Sequence, residues 1–251
     1  YKRFEKCLSR YQMSNLNIKR QEYKYFINNA DVYKLSLALD SLMLLDEFSH
    51  AITKEYKVTS LYFETPDDDD LDEKLDGILI REKHRMRIYN NQNSTIKLET
   101  KKRNGTVISK DSAEVGMSDA RDLSVGLYNP DNFDNELAKL ICIKLKSKAY
   151  KPRVIVEYDR QAYYLPYGNI RITFDKNLRT YNTHTDIFEL SSTPKSPVFL
   201  NNNQILEIKF EVELPAYLRD VLMTIPSIRS SISKYVLCQR YINHDLKKDH
   251  I

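Results

Sequence analysis

Residues 76–89 read DGILIREKHRMRIY, and the distribution of charge within this stretch predicts the architecture of the chain. Apolar residues such as Ile80, Met86 and Ile88 occupy even positions, whereas the odd positions are basic or aromatic. Successive side chains of a β-strand point to opposite faces, so the alternation predicts a strand with one charged face and one apolar face. The charged face of this strand consists of Arg81, Lys83, Arg85, Arg87 and Tyr89.

Three further stretches, near residues 96–103, 170–175 and 206–212, show the same alternation. An ordinary sheet with one face in water also produces this pattern, and that interpretation stays open. A solvated face normally mixes Thr, Ser, Asn and Gln with its charges, however, while these faces are nearly all Arg, Lys and Glu. The positions on the charged faces are Lys97, Glu99, Lys101 and Arg103, then Arg171, Thr173 and Asp175, and finally Glu207, Lys209 and Glu211.

β-Branched and aromatic residues bounded by turn residues predict eight strands. These strands are expected near residues 20–27, 56–63, 78–89, 95–103, 106–113, 153–164, 169–175 and 204–213. Helical spacing behind Asp31, a good N-cap, predicts a helix over 31–48, and further helices are expected over 134–145 and after Pro215. So many strands with few helices would leave exposed edges unless the sheet closed on itself. The pattern therefore leaves two possibilities, an open sheet with one solvated face and an eight-stranded β-barrel with a basic lumen and flanking helices. A lumen of that kind needs a polyanion as counter-ion.

The composition fits one globular domain over residues 1–251, with 41% hydrophobic and 29% charged residues. A net charge of +4 is too small for a protein that binds nucleic acid through a wholly basic surface. The three widely spaced cysteines argue against a disulfide framework and indicate a reducing cytoplasm. No apolar run in the sequence is long enough for a membrane-spanning helix. The five histidines are expected at the surface, and the acidic run 67–70 is expected to be a solvated loop.

Several segments together carry a resemblance to a known family. They are RQEYKYFI (20–27), SLYFETP (60–66), DGILIREKHRMRIY (76–89), LETKKR (98–103), KPRVIVEYDRQAYY (151–164), RITFD (171–175), ILEIKFEVELP (205–215) and SKY (233–235). In this order they resemble the VTC domain, a polyphosphate polymerase family within the triphosphate tunnel metalloenzyme superfamily, which also includes the CYTH-type triphosphatases. The resemblance covers a core from about residue 20 to residue 240. It implies an α+β fold, an eight-stranded antiparallel β-barrel with a polar, basic lumen and flanking helices. The basic side chains of this tunnel would hold a nucleoside triphosphate or polyphosphate beside a divalent metal.

The resemblance also implies which side chains form the site. Basic residues expected to act in catalysis are Lys24, Arg85, Arg87, Lys101, Arg160, Arg171 and Lys234, and residues expected to bind phosphate are Lys110, Lys209, Tyr158 and Ser233. Glu207 matches the position that holds the metal, Mn²⁺ or Mg²⁺, with Glu99 and Asp175 as weaker candidates. Arg offers a planar fork to two phosphate oxygens, Lys a compact mobile charge, and carboxylates suit these metals.

The activity implied by the resemblance is transfer of the terminal phosphoryl group of ATP to pyrophosphate or inorganic polyphosphate. A metal-dependent triphosphatase and a non-catalytic polyphosphate-binding module are the alternatives. The first strand reads RQEYK (20–24), where CYTH triphosphatases begin with Glu-x-Glu-x-Lys, and this departure favours the VTC branch. No nucleic acid is expected as a partner. The protein is expected in the cytoplasm. The resemblance adds the possibility of a membrane-protein partner, which would hold it at the inner face of a membrane.

Overall fold

The computed structural model describes residues 20–90, 92–105, 107–182, 185–199 and 201–248, and for residues 92–94 and 244–248 it describes the backbone alone. The strands are β1 (Gln21–Ile27), β2 (Leu44–Leu45), β3 (Glu55–Glu64), β4 (Ile80–Tyr89), β5 (Gln92–Asn104), β6 (Val107–Val115), β7 (Lys151–Leu165), β8 (Ile170–Thr180), β9 (Ser196–Pro197) and β10 (Gln204–Phe210). The α-helices are α1 (Asn29–Leu42), α2 (Asp69–Leu75), α3 (Met117–Ser124), α4 (Glu136–Ser147), α5 (Ala216–Leu222) and α6 (Lys234–Lys248).

The long strands form one antiparallel sheet in the order β1-β10-β8-β7-β3-β4-β5-β6, and the short strands β2 and β9 pair with β7 and β8. These eight long strands correspond to the eight that the sequence predicts, and the α+β class is confirmed. The sheet curls strongly enough for Lys101 of β5 to lie 3.7 Å from Glu22 of β1, measured from Nζ to Oε2. The curled sheet therefore forms a barrel.

The barrel is not closed by hydrogen bonds, because β1 and β6 do not pair within the described part of the chain. The outer edge of β1 is already occupied. Tyr25 forms an isolated antiparallel bridge with Arg229, and the N–H of Ser230 donates to the carbonyl oxygen of Lys24 at 2.9 Å. A seam therefore remains between the two ends of the sheet, where the sequence had predicted a closed ladder.

Helices cover the apolar, convex face of the barrel. On one side, α3 and α4 pack against Met86 and Leu98, which lie on the apolar faces of β4 and β5. On the other side, α1 packs through Leu35 and Leu39 against a cluster that includes Phe174 of β8. Each such side chain stabilises the fold by about 1.5–3 kcal/mol when fully buried. The charged residues thus line the concave face, and the alternative of a flat sheet with a solvated charged face is wrong.

The C-terminal helix α6, which the sequence analysis did not predict, packs differently from the others. Its residues Tyr235 and Cys238 join a buried cluster with Val58 of β3 and Tyr158 of β7. Val58 lies on the same side of β3 as Ser60 and therefore on the concave face. The helix covers the apolar part of the concave face and brings its own first turn to the charged part.

The boundaries of α1 correct the predicted cap. Asn28, rather than Asp31, is the N-cap: its side chain accepts a hydrogen bond from the Asp31 N–H at 2.9 Å, and Asp31 accepts in return from the Asn28 N–H at 3.5 Å. This reciprocal pair is a capping box. The helix ends at Leu42 instead of continuing to residue 48, because Leu44 and Leu45 pair with β7. The helices predicted over 134–145 and after Pro215 are confirmed as α4 and α5.

Two polar groups that the sequence placed in solvent are buried. The acidic run begins α2, and its Asp70 is buried, accepting a hydrogen bond from the Tyr150 hydroxyl at 2.9 Å. His84 lies on the convex side of β4, where Nδ1 is 2.8 Å from the Thr100 hydroxyl oxygen. Burial raises the pKa of Asp70 to about 7 and lowers that of His84 to about 4.

None of the helices in the described ranges is both long and apolar enough to cross a membrane.

Candidate functional site

Arg85 and Arg87 lie on the concave face at the centre of β4, and each is held by its neighbour on β3. The Arg85 Nε donates to Glu99 Oε2 at 2.8 Å, and its Nη1 donates to the Tyr62 hydroxyl at 3.1 Å. Arg87 donates from Nε to the Ser60 hydroxyl at 3.0 Å. Two guanidinium groups are thus fixed side by side, in the geometry suited to holding several phosphate oxygens.

Glu99 of β5 neutralises part of this charge. Its Oε1 accepts from Lys110 Nζ at 2.8 Å, while its Oε2 pairs with Arg85. Burial alone would raise the pKa of Glu99, but Arg85, Arg87 and Lys110 lower it to about 2. Lys101 and Lys110 are register partners across the β5–β6 hairpin, so the sequence placed both on the correct face. Glu99 is therefore an anion that holds cations in place.

A second group of charges lies on β7, β8 and α6. Arg160 donates from Nε to Asp175 Oδ1 at 2.6 Å and from Nη2 to Oδ2 at 2.8 Å, and Lys234 of α6 also pairs with Asp175. Burial would raise the pKa of Asp175, but Arg160 and Lys234 lower it to about 2. The Lys234 Nζ lies 4.8 Å from the centroid of the Tyr158 ring, and the Arg160 guanidinium carbon 5.2 Å. Tyr158 therefore supports both cations through its ring face.

The third group lies beside the seam, on β1, β10 and β5. Glu22 accepts from Lys24 at 2.7 Å and lies near Lys101, while Glu207 pairs with Lys209. Burial would raise the pKa of Glu207, but Lys209 and Lys24 lower it well below its usual range. Burial lowers the pKa of Lys101 to about 8. The register of β1 and β10 places Lys24 opposite Glu207 and Glu22 opposite Lys209, so each cation on one strand faces a carboxylate on the other.

The carboxylates proposed from the sequence as metal ligands are divided between these groups. No cluster of three metal-binding side chains exists within the described residues. Glu207 interacts electrostatically with Asp175 and with Glu22, a residue that was not selected from the sequence. Glu99 is engaged by Arg85 and Lys110 instead. Glu207 with one neighbouring carboxylate matches the donors that Mg²⁺ takes from proteins when phosphate oxygens complete its coordination.

Two predicted residues occupy positions that the sequence did not foresee. Arg171 lies at one end of the concave face, where Nη2 contacts Asp46 Oδ2 at 2.6 Å and the Tyr56 hydroxyl at 3.0 Å. Ser233 precedes α6, and its hydroxyl oxygen lies 3.5 Å from the Val236 N–H as a weak cap. The phosphate contacts proposed for Ser233 and for the hydroxyl of Tyr158 stay predictions.

The barrel also brings to the site residues that were not predicted from the sequence. Tyr62 and Ser60, which hold Arg85 and Arg87, could have been found from the period of two along β3. Lys83 has its Nζ 3.9 Å from the centroid of the Tyr235 ring, and burial lowers its pKa to about 8. No sequence signal marks this contact, because Tyr235 comes from the distant helix α6.

Cations outnumber carboxylates on the concave face. The basic residues described above are Lys24, Lys83, Arg85, Arg87, Lys101, Lys110, Arg160, Arg171, Lys209 and Lys234, and the acidic residues paired with them are Glu22, Asp46, Glu99, Asp175 and Glu207. Such an excess in a partly buried site creates a strong positive potential, which favours a ligand with several negative charges.

A family model described as VTC domain matches residues 19–242. The chain belongs to the VTC domain family. A comparison with curated proteins found no match. Among solved structures, the putative adenylate cyclase of Bacillus halodurans is similar over 86% of this VTC domain and 96% of the other chain, at 10% identity and a TM-score of 0.52. This similarity shows that the two proteins share a fold.

Two further solved structures are similar over most of their length. The PH1819 protein of Pyrococcus horikoshii has 13% identity and a TM-score of 0.42, covering 91% of the VTC domain and 99% of its own chain. The mimivirus capping enzyme triphosphatase has 14% identity and a TM-score of 0.37, covering 90% of the VTC domain and 97% of its own chain.

Proposed function

We propose that this VTC domain is a polyphosphate polymerase, which transfers the terminal phosphoryl group of ATP to a growing inorganic polyphosphate chain. The observation that carries the proposal is the concave face, where Arg85 and Arg87 lie side by side and cations exceed carboxylates. A chain of phosphates supplies many negative charges in a row, which matches a row of cations along a barrel. Membership of the VTC domain family supports the same assignment.

The residues of the concave face would act by positioning and by electrostatics. An oxygen of the acceptor phosphate forms a bond to the γ-phosphorus of ATP, while the bond from that phosphorus to the β–γ bridging oxygen breaks and ADP leaves with the electron pair. Arg85 and Arg87 would hold phosphate oxygens from one wall, and Arg160 and Lys234 from the opposite group. Phosphoryl transfer depends mainly on such placement and charge stabilisation, so no side-chain nucleophile is needed.

The ion pairs of the ligand-free barrel prepare it for this role. Glu99 and Asp175 hold Arg85, Lys110, Arg160 and Lys234 in defined positions before a ligand arrives. Each cation has further donors that can turn to phosphate oxygens. Because the cations are already fixed, less conformational entropy is lost when the phosphate chain binds.

Glu207, with Glu22 or Asp175 beside it, would hold the divalent metal, Mn²⁺ or Mg²⁺. A metal bound there would neutralise charge on the phosphates of ATP. The surrounding Lys24 and Lys209 would keep Glu207 ionised, since they lower its pKa. A carboxylate that is fully ionised at neutral pH is the form that a metal requires.

The proposal is tested by incubating the purified domain with ATP, Mn²⁺ or Mg²⁺ and pyrophosphate as primer. Polymer is resolved on a gel stained for polyphosphate, and free phosphate is measured in the same samples. We expect long polymer together with ADP. Release of free phosphate without polymer would assign a hydrolase instead, and binding of polyphosphate with neither product would assign a binding module. Cytoplasmic placement and a membrane-protein partner stay predictions.

The lowered pKa of Lys101 predicts a pH-dependent affinity for phosphate chains. Burial lowers this pKa to about 8, against the attraction of Glu22, so the amine is charged at pH 7 and becomes neutral as the pH rises above 8. Loss of one charged contact weakens tripolyphosphate binding by about tenfold between pH 7 and pH 9. Calorimetric titration should show that Lys101→Arg, which stays charged, loses distinctly less affinity over the same range. Lys83, whose pKa burial also lowers to about 8, is present in both proteins, so its loss of charge weakens binding in both. Parallel pH profiles for the two proteins would contradict this role.

A further inference from the structure

Three aromatic rings meet at the end of the barrel formed by the start of β3 and the end of β4. Phe48, in the loop after β2, has its ring centroid 6.4 Å from Tyr56 and 6.3 Å from Tyr89, and Tyr56 lies 6.2 Å from Tyr89. The planes of Phe48 and Tyr89 are nearly parallel, with an angle of 14°. We refer to Phe48, Tyr56 and Tyr89 as the aromatic triad.

Core packing does not account for all of the triad. Tyr56 is buried, but Phe48 is 61% exposed. An exposed phenyl ring adds little to stability, because most of its apolar surface remains in water. Its exposed ring, nearly parallel to that of Tyr89, instead offers an apolar face at the barrel mouth on which a planar aromatic ligand can stack.

The triad is continuous with the cationic concave face. The Tyr56 hydroxyl accepts from Arg171 Nη2 at 3.0 Å, and Tyr56 is the register partner of Arg160. Lys97 has its Nζ 5.9 Å from the centroid of the Tyr89 ring. A ligand that stacks on the triad would therefore have its next atoms beside cations.

A cavity of about 320 Å³ lies near the start of β3, but Glu55, Lys57 and Asp159 among its lining residues belong to the convex face. Asp159 accepts there from Arg179 Nη2 at 2.8 Å. This cavity is therefore not part of the surface formed by the triad. Exposed aromatic rings beside cations, as in the triad, are suited to a nucleobase that carries phosphates.

We propose that the aromatic triad binds the base of the nucleoside triphosphate whose phosphates lie on the concave face. This inference rests on the proposed function and adds the orientation of the substrate. Along β4, the concave positions run from Tyr89 through Arg87 to Arg85, a distance of about 14 Å at the usual rise per strand residue. The base would lie at Tyr89, and successive phosphates would lie towards Arg85.

The test compares ATP with tripolyphosphate, which carries the phosphates without a base, by calorimetric titration of the whole domain. Phe48→Ala should weaken ATP binding by about 5- to 10-fold, the loss typical of removing one stacking partner, and leave tripolyphosphate binding within about twofold. Phe48→Trp should keep or improve ATP affinity. Ile52→Ala, at an apolar residue of the same loop that is 85% exposed, should change the affinity for neither ligand.

The outcomes separate this inference from the function on which it rests. If Phe48→Ala binds both ligands as the wild type does, or weakens both equally, the base site is wrong while the phosphate site stands. If the wild-type domain binds neither ATP nor tripolyphosphate, the proposed function itself fails and the base site fails with it. Thermal unfolding of each variant shows whether the fold is intact, and the exposure of Phe48 makes an intact fold the expected result.

Discussion

Replacing Arg85 with alanine should lower kcat for polyphosphate synthesis by about 100- to 1,000-fold, the usual effect of removing one preorganised donor from a phosphoryl-transfer or oxyanion site. Arg85 lies at the centre of β4, with donors to Glu99 and Tyr62 and with Arg87 two residues away on the same face. Its loss removes a planar cation from the point where the negative charge of the transferred phosphoryl group is expected. The rate is measured as ADP release at saturating ATP.

The same substitution also leaves Glu99 without its principal partner. Lys110 remains paired with Glu99, but removing one partner of a buried ion pair typically destabilises a fold by about 3–5 kcal/mol, so a loss of activity needs a control for folding. The double variant Arg85→Ala/Glu99→Gln removes both charges and should recover most of the unfolding free energy while turnover stays low. Recovery of turnover together with stability would show that Arg85 acts only in folding.

The chain offers a matched control for Arg85 on the convex side of the barrel. Arg179 forms an ion pair with the buried Glu157, with 2.9 Å between Nε and Oε1, and the side-chain exposures of this pair, 14% and 1%, are close to the 16% and 1% of Arg85 and Glu99. Arg179→Ala should therefore cost comparable stability. Because Arg179 does not face the phosphate site, kcat should remain within about threefold of the wild type at a temperature where the variant is folded.

Replacing Glu207 with glutamine should lower kcat by about 100-fold or more, because a metal that neutralises phosphate charge stabilises the transition state by several kcal/mol. Glutamine has nearly the same shape, so the neighbouring Lys24 and Lys209 keep their places. The affinity for tripolyphosphate in the absence of metal should be retained or increased, since the concave face loses a negative charge. A loss of turnover without a loss of anion affinity is specific to a metal-binding role.

The measurement for Glu207 is a titration of turnover with Mn²⁺ at fixed ATP concentration. Half-maximal activity should require more Mn²⁺ in Glu207→Gln than in the wild type. Glu157→Gln is the matched control, since Glu157 is equally buried but lies on the convex face beside Thr59 and Arg179. Wild-type turnover and wild-type Mn²⁺ dependence in Glu207→Gln would exclude this residue as the metal ligand.

The period of two in the strands predicted the greater part of the fold. In residues 80–89 the odd positions are basic or aromatic and three of the five even positions are apolar, and this pattern placed Arg85 and Arg87 on one face and Met86 on the other. Both placements are confirmed, because side-chain direction in a strand is a local property of the backbone. At most of their ends, the predicted strands differ from the observed strands by only a few residues.

Features that depend on distant parts of the chain were not predicted. Tyr235, Cys238 and Ile242 of α6 recur at helical spacing, but they acquire a partner only because β3 and β7 curl around them. The burial of His84 against Tyr150 likewise depends on a contact between β4 and the segment after α4. No sequence signal shows which elements meet in these contacts, since the partners are far apart along the chain.

The sequence by itself determined which residues share a face, and hence that a row of cations lies opposite an apolar surface, because backbone geometry fixes the side-chain period. Only the tertiary structure decided how those charges pair. Glu99 neutralises Arg85 and Lys110, Asp175 neutralises Arg160 and Lys234, and Glu207 pairs with Lys209. The curl of the sheet and the seam beside β1 set these distances, and electrostatic energies depend on distance and burial rather than on position along the chain.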